Sequence, residues 1–168
     1  MSLIARLADR GIAKPPKWLP TNCQYLTIMG SNAYGVSTDS SDMDVYGFAI
    51  PPKEDVFPHL KGEIEGFGRQ KKRFEQYQEH HLQDKEAGRT YDLSIYGITR
   101  FFTLVMENNP NTLDCLFTRS DCVLLATSVG QMVRENRRVF LHKGLWPKFK
   151  GYAYAQMAKL KGVVDEDI

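Results

Sequence analysis

The sequence predicts an α/β (α+β) fold, a small mixed sheet with flanking helices, and three observations predict it. Short apolar or alternating runs, Tyr25 to Met29, Met43 to Ile50 and Thr90 to Tyr96, carry the period of strands. Longer stretches, Ile98 to Asn108, Val129 to Phe140 and Trp146 to Leu160, carry the spacing of helices. With 168 residues, 42% hydrophobic and 11% aromatic, the chain has enough apolar material for one core.

The elements follow in order. Leu3, Ile4 and Leu7 share one helical face, so the chain opens on a short amphipathic helix. Lys14-Pro15-Pro16-Lys17-Trp18-Leu19-Pro20 is an extended connector, because each proline disfavours helix at its own position and the one before. Tyr25, Leu26, Ile28 and Met29 form a buried strand that ends on Gly30-Ser31. Asn32-Ala33-Tyr34-Gly35 and a polar turn, Ser37-Thr38-Asp39-Ser40-Ser41, lead to the second strand, which Pro51-Pro52 stops. From Lys53 to Arg89 the pattern weakens, and Gly62, Gly66 and Gly68 make its first part a loop. Arg69-Gln70-Lys71-Lys72-Arg73 is the densest basic run, either a solvated face or a contact for triphosphate or nucleic-acid phosphates. His80-His81 reads as structural, since adjacent side chains on a helix diverge and no further histidine sits at ligand spacing. After the third strand, the helix from Ile98 stops at Asn108-Asn109-Pro110. Asn111 to Asp114 starts a short element, Cys122 to Leu125 adds a strand, and Val129 to Phe140 is a helix with a basic face (Arg134, Arg137, Arg138). Pro147 sits near the first turn of the last helix. Its interleaved lysines and aromatics, Lys150 and Tyr154 among them, suit phosphate contact and base stacking, or simply packing.

This divides the chain into a helix and linker (1–20), a core (21–145) with an insert at about 53–89, and a terminal helix (146–168) that completes a minimal form or begins a longer acceptor-binding region. A net charge of +2 with 25% charged residues is not the strongly basic signature of a duplex-DNA binder, but suits a nucleotide or a short RNA end. Cys23, Cys115 and Cys122 lack Cys-x-x-Cys spacing and read as reduced core thiols of a cytoplasmic protein. No membrane-spanning run or signal peptide is apparent, because Arg6, Asp9 and Arg10 interrupt the first residues. Oligomeric state is not legible.

The chemistry gathers around Gly30-Ser31 and Asp42-Met43-Asp44-Val45. Side chains alternate on a strand, so Asp42 and Asp44 share one face. Two neighbouring carboxylates repel, and one is pushed toward protonation unless a cation removes the conflict. Oxygen ligands completed by water and phosphate suit Mg²⁺, with Mn²⁺ as the alternative. A glycine lets backbone approach a ligand closely, and amides at a helix start point at anions. Phosphate on Gly30-Ser31 and metal on Asp42 and Asp44 describe a bound nucleoside triphosphate, such as ATP, poised for phosphoryl transfer.

An apolar residue, Gly-Ser, a spacer and Asp-apolar-Asp-apolar, here Met29, Gly30-Ser31 and Asp42-Met43-Asp44-Val45, resemble the signature of the DNA polymerase β superfamily of nucleotidyltransferases. The longer form, through Tyr34-Gly35 and Tyr46-Gly47, is similar to its predicted RNA-repair-linked members, as are Asn109 to Phe117 and Phe149 to Gln156. The resemblance implies a polymerase-β-type nucleotidyltransferase fold. It also implies a third carboxylate on a strand beside the Asp-x-Asp strand, a role that falls to Asp92. Asp42, Asp44 and Asp92 are then catalytic and metal-holding, while Gly30 and Ser31, with Lys150 and Tyr154 from the last helix, contact the nucleotide. The implied activity transfers a nucleoside monophosphate to an acceptor hydroxyl, with an RNA end as one acceptor. A catalytically silent nucleotide-binding regulatory domain and a protein-modifying nucleotidyltransferase of toxin–antitoxin type are the rivals; the complete set of acids argues against the first.

Overall fold

A computed structural model of the chain describes residues 1–35 and 42–166. The polar turn expected from Ser37 to Ser41 lies outside the described residues. The elements are α1 (Leu3–Asp9), α2 (Leu19–Asn22), β1 (Cys23–Met29), α3 (Gly30–Tyr34), β2 (Met43–Ala49), α4 (Lys53–Val56), β3 (Gln76–Asp84), β4 (Arg89–Gly97), α5 (Ile98–Met106), α6 (Pro110–Phe117), β5 (Val123–Ala126), α7 (Ser128–Glu135) and α8 (Leu145–Glu166). Short 3₁₀ turns occupy Pro58–Lys61, Ser120–Cys122 and Arg137–Phe140.

The five strands form one mixed sheet in the order β3-β4-β2-β1-β5. Only β2 and β4 run parallel, and the remaining pairs are antiparallel. Alternation sorts the side chains into two cores. One face carries Leu26, Met43, Val45, Tyr91, Leu93 and Ile95, covered by Ile4 and Leu7 of α1 and Leu19 of α2. The opposite face carries Tyr25, Met29 and Phe48, covered by Phe101 and Val105 of α5, Leu113 and Leu116 of α6 and Val133 of α7. Helices therefore lie on both faces, and the larger group packs on the face that also carries Asp44 and Asp92.

Local signals account for the helix ends. Asn108 closes α5 in the left-handed region, at φ +53°. Asn109 then caps α6, its side-chain oxygen accepting from the Thr112 amide at 3.3 Å with Pro110 in the first turn. The basic face expected on α7 is partly turned inward. Arg134 donates to the Tyr25 hydroxyl (2.7 Å) and the Thr118 carbonyl (2.6 Å), and Arg137 lies over the Phe117 ring at 5.1 Å. Gly47 answers to close packing, since a Cβ there would run into the Tyr25 carbonyl of β1. All three cysteines are free and buried, and burial pushes the Cys23 thiol up to about 12. Among the described residues no helix is long and apolar enough to cross a membrane.

The strand β3 departs from the sequence reading, which left Lys53 to Arg89 without a strand. It forms the sheet edge as an antiparallel hairpin with β4. Its alternation is polar on both faces at the start (Gln76, Gln78, Glu79), so no apolar period marks it. Leu82 and Tyr77 pack into the α1 side. At its end Asp84, fully enclosed, takes two bonds from Arg10 of α1 (2.9 and 2.8 Å) and one from the Ala87 amide (3.0 Å).

The Ala87 amide and the Arg10 guanidinium together hold the Asp84 carboxyl below its ordinary value. A depressed folded-state pKa contributes stability above the unfolded value of about 3.9 that is lost as pH falls through the lower folded value. Asp84→Asn is therefore expected to lower the urea midpoint at pH 7, with the gap from wild type closing below pH ~3.9. Urea titrations at both pH values check this.

Candidate active site

The site assembles at one end of the sheet, where β1 ends and β2 begins. Met29 pairs with Asp44, and Asp44 pairs with Asp92 across the parallel β2–β4 ladder. Neighbouring strands lie about 4.8 Å apart, so the two carboxylates sit side by side. Asp42 precedes β2 immediately, and its carbonyl accepts from the Asn32 side chain of α3 at 2.8 Å. That bond ties the Gly30-Ser31 turn to the mouth of β2.

Gly30 is needed where it stands. Its φ of +66° lies in the left-handed region, and a Cβ there would collide with the Asp44 carboxylate. The backbone of the Gly-Ser turn thus lies directly against an acid of the cluster.

The electrostatics are those of crowded anions. Burial, then the charges of Asp92 and Asp42, raise the Asp44 carboxyl above the ordinary range, with His80 opposing. Burial pushes Asp92 the same way, but the His81 amide and the His80 ring outweigh it and hold Asp92 low. The Asp92 Oδ1 accepts from the His81 backbone N–H at 2.7 Å, and its Oδ2 lies 3.1 Å from His80 Nδ1. His81 Nδ1 lies 3.6 Å from Asp42 Oδ2.

Both histidines reach the acids because β3 is bulged opposite Asp92. Glu79 pairs with Leu93 and Leu82 with Tyr91, which leaves His80 and His81 together facing the one residue Asp92. In strict alternation only His80 would face the acids, and His81 would turn to the α1 side. The extra residue puts both on the acid face and returns Leu82 to the core. His81 accordingly adopts φ +55°, a conformation that costs a non-glycine residue about 1–3 kcal/mol and persists where surroundings enforce it.

These contacts correct the helical placement read for His80-His81. They lie on a strand, and a double histidine in a polar edge strand leaves no signal of the bulge that aims them. The structure brings together Gly30, Asp42, Asp44 and Asp92, with Ser31 following Gly30. Lys150 and Tyr154 lie on α8. Leu145 and Phe149 pack α8 against the core, and Lys150 and Tyr154 lie about 140° and 180° round the helix from Leu145. Both are exposed, with Lys150 Nζ over the Tyr154 ring at 5.8 Å. Tyr152 is the α8 aromatic close enough to Tyr46 of β2 to influence its ionisation. The basic run Arg69 to Arg73 is apart from the acids. Gln76 pairs with Tyr96, four residues or about 13 Å along β4 from Asp92, and the run lies beyond it.

Asp42, His81 and Asp92 each offer a ligand atom, all within 4.8 Å of one another. Clustered carboxylates, one of them raised in pKa by burial and by the charges of its neighbours, a glycine backbone directly against it, and imidazole nitrogens at their rim form a donor set that fits a divalent cation.

The sequence matches the family model described as the RNA repair pathway DNA polymerase beta family over residues 14–165. The chain belongs to that family. At family level the activity that goes with the RNA repair pathway DNA polymerase beta family is nucleotidyl transfer, typically with divalent metals. The chain is also 26% identical over 132 residues to a protein of Enterobacteria phage T4, the "Uncharacterized 38.9 kDa protein in nrdC-mobD intergenic region". That match covers 77% of this chain and 36% of the phage protein, so the chain spans about a third of the length of this relative. No solved structure matches the chain.

Gly30 and Gly35 both have positive φ, but among the described residues only a Cβ at Gly30, of these two, would meet another group. Gly30→Ala is expected to cost more than Gly35→Ala, whose cost is the backbone strain of about 1–2 kcal/mol alone. Urea denaturation of the two variants measures the difference.

Proposed function

We propose that the protein transfers a nucleoside monophosphate from a nucleoside triphosphate to an acceptor hydroxyl, with an RNA end as the acceptor and the cytoplasm as its place of action. The observation that carries this reading is the register that sets Asp44 against Asp92, with Asp42 and Gly30 beside them, in a member of the polymerase beta family.

Asp42, Asp44 and Asp92 are the residues that would hold Mg²⁺ or Mn²⁺. A divalent cation held there would supply Lewis acidity toward the attacking hydroxyl and toward the charge of the departing pyrophosphate. The Gly30 amide and the Ser31 hydroxyl receive the outer phosphates and fix the triphosphate against the acids. Asp92 orients the acceptor hydroxyl. His80, bonded to its Oδ2, and the His81 amide, bonded to its Oδ1, hold that carboxylate ionised and in one orientation. The acceptor oxygen bonds to the α-phosphorus as the bond to the bridging oxygen breaks, and pyrophosphate leaves. Lys150 and Tyr154, exposed on α8, are the proposed further contacts to the nucleotide.

Incubation with each α-labelled triphosphate, a divalent metal, and RNA, protein or no acceptor tests the reading. Label is expected on RNA; label on a protein side chain would identify a protein-modifying enzyme instead. Triphosphate with metal at 100 times its dissociation constant should add about 2.7 kcal/mol of stability. Triphosphate without metal should add much less. Asp44→Asn is expected to reduce transfer by about 10²-fold or more while the protein stays folded. Asp92→Asn should leave triphosphate affinity within a few-fold and lose turnover. The exposed Asp121, paired with Arg119 rather than with the acids, is the control. Triphosphate binding without transfer to any acceptor would mark a silent nucleotide-binding domain.

A further inference from the structure

The bulge in β3 has a feature that phosphoryl transfer by three carboxylates does not require. Holding Asp92 needs only the His80 ring and the His81 backbone N–H. The His81 side chain does neither. It is nevertheless carried onto the acid face by a left-handed backbone conformation, at φ +55°, that residues other than glycine seldom adopt. There its Nδ1 stands 3.6 Å from Asp42 Oδ2, with a side chain 79% exposed and open to an incoming ion.

We infer that His81 is a metal ligand, and that the site it completes with Asp42 and Asp92 takes a first-row transition ion such as Mn²⁺ in preference to Mg²⁺. This deepens the proposed function, on which it rests, by naming the metal class. Two observations carry it. The first is proximity: the ligand atoms of Asp42, His81 and Asp92 already lie within 4.8 Å of one another. An octahedral ion with bonds of about 2.1 Å holds its ligand atoms about 3.0–4.2 Å apart, so modest side-chain rotation closes the set. The second is the bulge itself, which adds a residue to β3 opposite Asp92 alone. His80 lies outside that converging group; its Nδ1 pairs with Asp92 and orients that carboxylate.

The preference follows from donor chemistry. Mg²⁺ is a small, hard ion that favours oxygen and retains water, and an imidazole in place of a water gains it little. Transition ions bind imidazole strongly, and Mn²⁺ accepts carboxylate and imidazole together. A carboxylate–carboxylate–imidazole set therefore discriminates where an all-carboxylate set does not.

Mn²⁺ is the probe, used with the full chain, with and without triphosphate. Pulsed electron paramagnetic resonance of bound Mn²⁺ is expected to show coupling to a directly bonded ¹⁴N. Competition should show Mn²⁺ held at least tenfold more tightly than Mg²⁺. His81→Gly removes the imidazole and tolerates the left-handed conformation, so the bulge should survive. In that variant the nitrogen coupling should vanish and the Mn²⁺ preference fall at least fivefold, with Mg²⁺ affinity changed less than twofold. The wild-type nitrogen signal stands as evidence even if the variant fails to fold. Bound Mn²⁺ without nitrogen coupling, or coupling that persists in folded His81→Gly, overturns the role of His81 and leaves the three-carboxylate reading intact. Failure of wild-type protein to bind Mn²⁺ under either condition overturns both.

Discussion

The parallel register of β2 against β4 sets Asp44 beside Asp92, and most of the structure can be understood as what holds those two charges together. Two carboxylates about 5 Å apart repel by about 3 kcal/mol at the effective dielectric of a protein surface. The opposing term lies on the same strands. Val45, Phe48, Leu93 and Ile95 are fully buried, and each such side chain contributes about 1.5–3 kcal/mol. The apolar ladder outweighs the repulsion about two- to fourfold, so the fold can keep like charges adjacent. The unfavourable charge shows itself as the raised pKa of Asp44 rather than as a displaced strand.

Alternation makes this possible. The same strands that offer Met43, Val45, Leu93 and Ile95 to α1 and α2 offer Asp44, Asp92, Tyr46 and Phe48 to the other face. On that second face the acids occupy one end and the helices α5, α6 and α7 cover the rest. A buried polar network fixes the covering helices: Arg134 joins α7 to Tyr25 of β1 and to Thr118, and Thr27 meets Thr118 at 2.7 Å. Arg134 is thus a tie within the fold, although its charge and its place on a basic helix invite a surface role.

The edge strand links stability to the site. Its bulge presents the histidines to the acids, while its end is held to α1 by the Arg10–Asp84 pair. The bulged residue also spares Leu82 from solvent, because the added position restores the apolar phase of the strand. One insertion in the backbone therefore serves both packing and site geometry.

The local chain determined the Gly-Ser turn, the three central strands, the helix stop at Asn108 to Pro110 and the pairing of Asp42 with Asp44, because each depends on residues within a few positions of one another. Asp92 was assignable by resemblance, though its partner Asp44 lies 48 positions earlier along the chain and meets it only across a ladder. Tertiary structure alone decided the rest. The strand β3 has no apolar period and exists because β4 supplies a hydrogen-bonding edge. The approach of His80 and His81 to Asp92 and Asp42 depends on a bulge, which is a mismatch between two strands and has no signature in either. The outward placement of Lys150 and Tyr154 follows from which face of α8 packs, and an exposed helix with aromatics all round does not declare that face in its sequence. Local periodicity specifies which side of an element is apolar; only contact with a second element specifies what stands opposite.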